Sequence, residues 1–164
     1  MTIPVDGPAL RRIFSHYPTG VTIVTTTHEG QPCGLTVNSF TSVSLEPPLI
    51  LICLARHARA HRCVEVTHHF AVNILTAGQE ALARLFATKV EDKFRGLSYR
   101  PSPGGDPILD GVHGWLDCEV VATHPGGNTH TIYVALVTAM DVGAGAPLVF
   151  HHGAYTRLGS ATRS

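Results

Sequence analysis

Between Thr36 and Ser44 the chain runs Thr36-Val37-Asn38-Ser39-Phe40-Thr41-Ser42-Val43-Ser44, a stretch dominated by hydroxyl and amide side chains. Donors this dense, set between strands, suit a phosphate and the polar edge of a heterocycle. A Ser/Thr-rich β-meander that binds nothing has the same composition. The chain has 11 histidines, which raises metal binding as a second chemistry. His57 and His61 stand at i, i+4 on one helix face but lack the glutamate of a His-Glu-x-x-His motif. The pairs His68-His69 and His151-His152 read as neighbours on extended chain, which would point them to opposite faces. No third ligand is placed near any of them, and no metal site is expected.

The elements that must carry these residues follow from punctuation and period. Asp6-Gly7-Pro8 starts a helix, with proline suited to the first turn, and Pro18 ends it. Leu10, Ile13, Phe14 and Tyr17 make one apolar stripe on that helix, which is expected to dock on a sheet. From Tyr17 to Leu54 three or four consecutive strands are expected. Val21, Ile23 and Thr25 alternate as in a half-buried strand, and Glu29-Gly30 supplies a tight turn before chain resumes at Cys33. Pro47-Pro48 leads into Leu49 to Leu54, an apolar run read as a strand buried on both faces. A second helix is expected over residues 58–66, with Ala60, Cys63 and Val64 inward. A third begins at a capping box, Thr76 to Gln79, and turns Leu82, Leu85 and Phe86 to the core. Loops at Gly104-Gly105-Asp106-Pro107 and Pro125 to Asn128 separate later strands at residues 114–123, 129–141, 147–150 and 154–158. A mainly β fold with about eight strands and three helices suggests a closed antiparallel barrel with helical caps.

Composition narrows the function classes. The 164 residues form one expected domain, with its core over about residues 10–158. Hydrophobic residues make up 44% and charged residues only 15%, so apolar surface is expected to be hidden between subunits, as in a homodimer. Net charge is zero with histidine neutral, which argues against nucleic acid and anionic membrane as partners. Apolar runs are too short to span a bilayer, and the N-terminal residues lack the order of a secretory signal. Cys33, Cys53, Cys63 and Cys118 form no Cys-x-x-Cys pair and read as buried thiols in a reducing cytoplasm.

The Tyr17–Leu54 segment resembles the flavin reductase family, small NAD(P)H:flavin oxidoreductases that serve two-component monooxygenases. The resemblance continues through Phe70-Ala71-Val72-Asn73-Ile74-Leu75, Phe86-Ala87, Asp92-Lys93-Phe94-Arg95-Gly96 and Pro107-Ile108-Leu109-Asp110-Gly111. It then takes in Cys118-Glu119-Val120, His130-Thr131-Ile132-Tyr133-Val134 and Pro147-Leu148-Val149-Phe150, in order, over residues 10–158. Each piece is weak alone; their order is the signal. The resemblance implies an FMN-binding split β-barrel holding FMN or FAD at a dimer interface, with NADH or NADPH as hydride donor. A separate flavin-dependent monooxygenase is the implied partner.

The positions matching flavin-contacting segments are Gly34, Leu35, Thr36, Val37, Asn38 and Ser39, then Ser42, Val43 and Ser44, then Cys53, Leu54 and Ala55. Asn38 and Ser39 are the candidates for hydrogen bonds to the isoalloxazine edge or ribityl chain; capping of a turn or strand end is the alternative. Ala58 and Ala60 stand where the family often has hydroxyls. A phosphate at Ala60 would then rest on helix amides and on Arg56 or Arg59. Lys93 matches a position near the flavin phosphates. His130 matches the histidine of a Gly-Asp-His element, although Asn128 and Thr129 replace the first two residues. It is the candidate catalytic residue on the nicotinamide side, and Tyr155 either packs near that ring or closes the barrel. Two rival readings share this fold: a barrel with tightly held flavin acting on an organic substrate, and a flavin- or haem-binding carrier.

Overall fold

A computed structural model describes residues 4–159. The start of the segment read as lacking a secretory signal, residues 1–3, lies outside that range. The elements run α1 (Gly7–Ser15), β1 (Thr19–Gly20), β2 (Thr22–His28), β3 (Gln31–Val37), β4 (Thr41–Leu45) and β5 (Pro48–Ala55). Next come α2 (Arg59–Thr67), β6 (His69–Ile74), a short 3-10 turn (Ala77–Gln79) and α3 (Glu80–Phe86). The chain ends with β7 (Tyr99–Pro101), β8 (Pro107–Leu109), β9 (Gly114–Gly126), β10 (His130–Val142), β11 (Leu148–His151) and β12 (Ala154–Arg157).

The fold is mainly β, as expected, but its sheet is not closed. Seven antiparallel strands lie in the order β3-β2-β6-β9-β10-β5-β4, while β1, β11 and β12 form a second sheet and β7 and β8 a third. Strands β3 and β4 are the two ends of the large sheet and do not pair with each other. Residues 38–40 carry the chain from one end of the sheet to the other, so β4 adds to β5 rather than to β3.

Burial along β2 and β5 is the reverse of the expectation. All of Val21 to Thr26 is buried, whereas β5 alternates, with Ile50, Ile52 and Leu54 inside and Leu49, Leu51 and Cys53 half-buried. The cause is position. β2 lies between β3 and β6 and is covered by both α2 and α3, whereas β5 has only the end strand β4 on one side. Three threonines are buried on β2, and each hydroxyl finds a partner. Thr22 donates to the Val37 carbonyl at 2.9 Å, Thr25 donates to the Pro107 carbonyl at 2.6 Å, and Thr26 lies 3.0 Å from the Thr67 hydroxyl. Buried Asn73 of β6 ties the centre together. Its amide donates to the Ile23 carbonyl and Thr25 hydroxyl, and its oxygen accepts from the Leu109 amide at 2.8 Å.

Helix α1 forms where its caps place it, with the Asp6 carboxylate accepting from the Ala9 amide at 2.7 Å. Its apolar stripe does not dock on the sheet: Phe14 is 66% exposed and Tyr17 is 74% exposed. The helix is tethered by the His152 amide donating to the Ser15 carbonyl and by the His16 ring lying edge-on to that of His152. The capping box at Thr76 and Gln79 is present, opening the 3-10 turn that leads into α3. Neither adjacent histidine pair lies on extended chain as expected. His68 takes a left-handed φ of 57° as the C-cap of α2, and His152 takes 51° in the β11–β12 turn. The His151 and His152 rings consequently come within 4.1 Å of each other.

The cysteine reading is corrected as well. Cys33 of β3 and Cys63 of α2 are joined in a disulfide, and only Cys53 and Cys118 are free. Burial pushes the Cys118 thiol up to about 12, with the charges of Asp117 and Asp106 adding to the shift.

The loop before β8 is held by an internal hydrogen-bonded pair. Fully buried Asp106 accepts from His69 Nδ1 at 2.7 Å and from the Thr27 amide at 2.9 Å. Burial raises its carboxyl above the usual range, and the His69 contact opposes that shift. Replacing one member strands the other without its partner. Asp106→Ala is expected to lower unfolding free energy by about 2–3 kcal/mol, the lower end because His69 is part-exposed. Urea unfolding followed by circular dichroism measures it, and a loss below about 0.5 kcal/mol would show the pair to be idle.

Candidate nucleotide-binding cleft

One cleft of about 490 Å³ opens between β3, the start of α2 and the segment that follows α3. Gly34 and Leu35 form one wall, Ala58, Arg59, Ala60 and Arg62 the second, and residues 87–91 with Lys93 and Phe94 the third. Gly34 has a steric reason to be glycine. A Cβ there would sit 2.5 Å from Phe86 Cε1, so only a bare backbone can pass this ring. Phe94 packs edge-on to Phe86, with centroids 5.0 Å apart, and braces the floor from below.

The cleft is built for negative charge. No side chain caps the N-terminus of α2, because the N-cap residue is Ala58, so the amides of its first turn are left for another acceptor. Arg59 reaches across and donates to the Glu91 carbonyl at 3.2 Å. Lys93 Nζ donates to the carbonyls of Phe86 at 2.8 Å and Gly34 at 3.3 Å, which fixes the ammonium between two walls. Burial lowers the Lys93 pKa, and the charge of Arg59 lowers it further. Arg59 and Lys93 thus stand on one lining beside the free amides of α2.

Of the residues singled out in the sequence, Gly34, Leu35, Arg59, Ala60 and Lys93 meet in this cleft. The remainder lie elsewhere. Thr36 spends its hydroxyl on the Ala83 carbonyl at 2.7 Å, and Val37 and Leu54 are buried in the main core. Ser39 donates to the Cys53 carbonyl at 2.8 Å and accepts from the Cys53 amide at 3.1 Å, pinning the β3–β4 connection onto β5. Asn38 beside it is exposed, as are Ser42 and Val43, and Ser44 accepts from the Glu46 amide at 3.2 Å. Cys53 and Ala55 are half-buried on the outer half of β5, where burial also raises the Cys53 thiol.

His130 begins β10 directly opposite Ala55, and its exposed ring lies 2.8 Å from the Thr129 hydroxyl. The Arg56 amide donates to the Thr129 carbonyl, and the Arg56 side chain donates to that of His130 at 3.2 Å, so this corner is tied to the approach to α2. Tyr155 is remote from the cleft lining. It packs on Phe150 in the second core, under the Arg84 guanidinium at 5.0 Å, where burial raises its phenol. Among the described residues no group of three His, Cys, Asp or Glu side chains is arranged to hold a metal ion.

Sequence reasoning missed Cys33, His57 and residues 87–91 as cleft-lining. Of the last, residues 88–91 stand between two quoted motifs, Phe86-Ala87 and Asp92-Lys93-Phe94, and that bracketing was the available signal.

A mainly β protein with an open antiparallel sheet and a cation-lined cleft is the class the fold defines. Comparison with known proteins gives the class its family. The flavin reductase like domain model matches residues 14–159. The reductase subunit HsaB of a flavin-dependent monooxygenase from Mycobacterium tuberculosis is 36% identical over 160 residues, covering 96% of this chain and 86% of that one. An NADH-dependent FAD reductase of Streptomyces globisporus is 39% identical, covering 94% of this chain and 87% of the other. The solved structure of Streptomyces globisporus C-1027 NADH:FAD oxidoreductase SgcE6 with NAD and FAD fragments superposes with a TM-score of 0.91 at 38% identity. That match covers 97% of this chain and 96% of the other. The chain belongs to the flavin reductase family.

Filling the space over Gly34 tests the geometry of the cleft floor. Gly34→Ala is expected to lower stability by about 1–3 kcal/mol as Phe86 is displaced. An unchanged denaturation midpoint would show that Phe86 yields freely.

Proposed function

We propose that this protein is an NAD(P)H:flavin reductase that binds FMN or FAD as a substrate and supplies it reduced to a partner monooxygenase. The observation that carries this is the cleft itself, where the uncapped N-terminus of α2, which bears Arg59, shares the lining with Lys93 in a chain of this family. The donor set fits a flavin phosphate. The amides of α2 and the Arg59 guanidinium would bind its oxygens, and Lys93 would supply charge from below. From there the isoalloxazine would run along the outer half of β5, past Ala55 and Cys53, toward Asn38. Ser39, with its hydroxyl occupied by Cys53, would act by holding that loop rather than by touching the ligand.

The chemistry is hydride transfer from nicotinamide C4 to flavin N5, which asks the protein to stack two rings and exclude other geometries. No acid–base pair is needed for that step. His130, exposed at the start of β10 opposite Ala55, would position the nicotinamide carboxamide. Two relatives are an NADH-dependent FAD reductase and an NADH:FAD oxidoreductase; this protein is proposed to use either nicotinamide with either flavin.

The protein is proposed to work as a homodimer in the cytoplasm. Among the described residues no helix is long and apolar enough to cross a membrane. Exposed apolar residues on α1 and on β4, where Leu45 is 93% exposed, provide the surface for a second copy. That copy would also cover the outer half of β5 and complete the flavin site.

Three measurements test this reading. First, purified protein should oxidise NADH only when flavin is added, and Arg59→Ala should raise the KM for FMN about tenfold while leaving that for riboflavin nearly unchanged. Equal losses for both would place Arg59 away from the phosphate. Second, His130→Ala should lower kcat/KM for NAD(P)H about fivefold with flavin affinity intact. A raised flavin Kd with normal nicotinamide kinetics would assign the histidine to the other ring. Third, light scattering should give twice the 17.5 kDa chain mass.

A further inference from the structure

The Cys33–Cys63 disulfide joins two of the three walls of the cleft, β3 and α2. Cys33 itself lines the cleft and precedes Gly34 on β3, while Cys63 sits one turn into α2, beyond the Arg59 and Ala60 that form the opposite wall. Their Cα atoms are 6.8 Å apart, within reach of a bridge without rearrangement of either element. Both residues are largely buried, at 4% and 7% exposure, and the cleft is the opening that Cys33 lines. The bridge is not what holds α2 to the sheet. Val64 is fully buried in the main core, Thr67 meets Thr26, and His61 Nε2 lies 2.8 Å from the Thr131 hydroxyl. These contacts keep α2 docked whether or not the bridge is closed, so the bridge acts as a local tie between β3 and the first turns of α2.

We propose that Cys33 and Cys63 are a reversible thiol–disulfide pair that sets how tightly the cleft holds flavin. The proposal rests on the reading of this cleft as the flavin-phosphate site. The oxidant is a hydroperoxide, which the reductase reaction itself supplies. Free reduced flavin gives two electrons to dioxygen, returning oxidised flavin and hydrogen peroxide. One thiolate attacks the peroxide to give a sulfenic acid and water. The second thiol displaces a further water and closes the bridge, so two thiols and one peroxide yield one disulfide and two waters. With the walls joined, the phosphate site is pre-organised and binds more tightly. An enzyme that retains flavin releases less of the reduced form, and the source of peroxide is curbed.

The test uses the full chain, with FMN as the probe and thiols counted under denaturing conditions. Of the 4 cysteines, Cys53 and Cys118 are free in the structure. Peroxide-treated, desalted protein should therefore show only those two thiols, and phosphine-reduced protein all four. FMN titration should give a Kd about fivefold lower in the two-thiol state. The Cys33→Ser, Cys63→Ser double variant should hold the weaker Kd under both treatments, which separates the bridge from other oxidation. Equal Kd values in the two wild-type states overturn the proposal, as does a thiol count that stays at four under peroxide. FMN binding in neither state overturns the flavin reading and this proposal with it, whereas equal binding in both overturns only the redox coupling.

Discussion

Strand β2 takes part in both apolar cores: Val24 lies in the main one, and Ile23, with Val21 just before the strand, lies in the one beneath α3. A strand sealed on both faces has nowhere to hydrate a polar group, so each buried threonine must find its partner in a specific neighbouring element. Thr26 selects the end of α2, Thr25 selects the loop entering β8, and Thr22 selects the end of β3. These bonds, with the packing of Val64 and Phe86, fix both helices relative to the sheet. Burying two such side chains contributes roughly 3–6 kcal/mol. The cleft is the gap left where the two helices, so fixed, do not meet.

The parts of this arrangement that were legible in the sequence are those written in short-range chemistry. Asp6 and Pro8 specify the start of α1, Thr76 and Gln79 specify their capping box, and Glu29-Gly30 specifies a turn with positive φ at both residues. Each needs only its immediate neighbours. Periodicity said less, because an alternating pattern cannot tell a central strand from one near an edge. The apolar run of β5 was read as doubly buried because leucine and isoleucine fill both of its faces. In the structure one of those faces looks outward, where a partner or ligand would supply the missing burial.

The candidate site divides along the same line. Gly34, Arg59 and Lys93 were found through motif order, and the fold brings them to one cleft. The role of Ser39 could not be read, because its partner Cys53 is on a strand 14 positions away. The disulfide was hidden for the same reason, since Cys33 and Cys63 are 30 positions apart and no spacing rule links them. The pairing of Asp106 with His69 spans 37 positions and depends on how β8 returns to the sheet.

Lys93 carries one more implication. An ammonium has three donors, and two of them are engaged by the carbonyls of Phe86 and Gly34. One N–H remains for a ligand. A single donor cannot distinguish the terminal oxygens of a phosphomonoester from a bridging diphosphate, since it can satisfy only one oxygen in either. The lysine therefore contributes attraction without shape discrimination. In the proposed reading, selectivity between a mononucleotide and a dinucleotide would then fall to the rest of the lining.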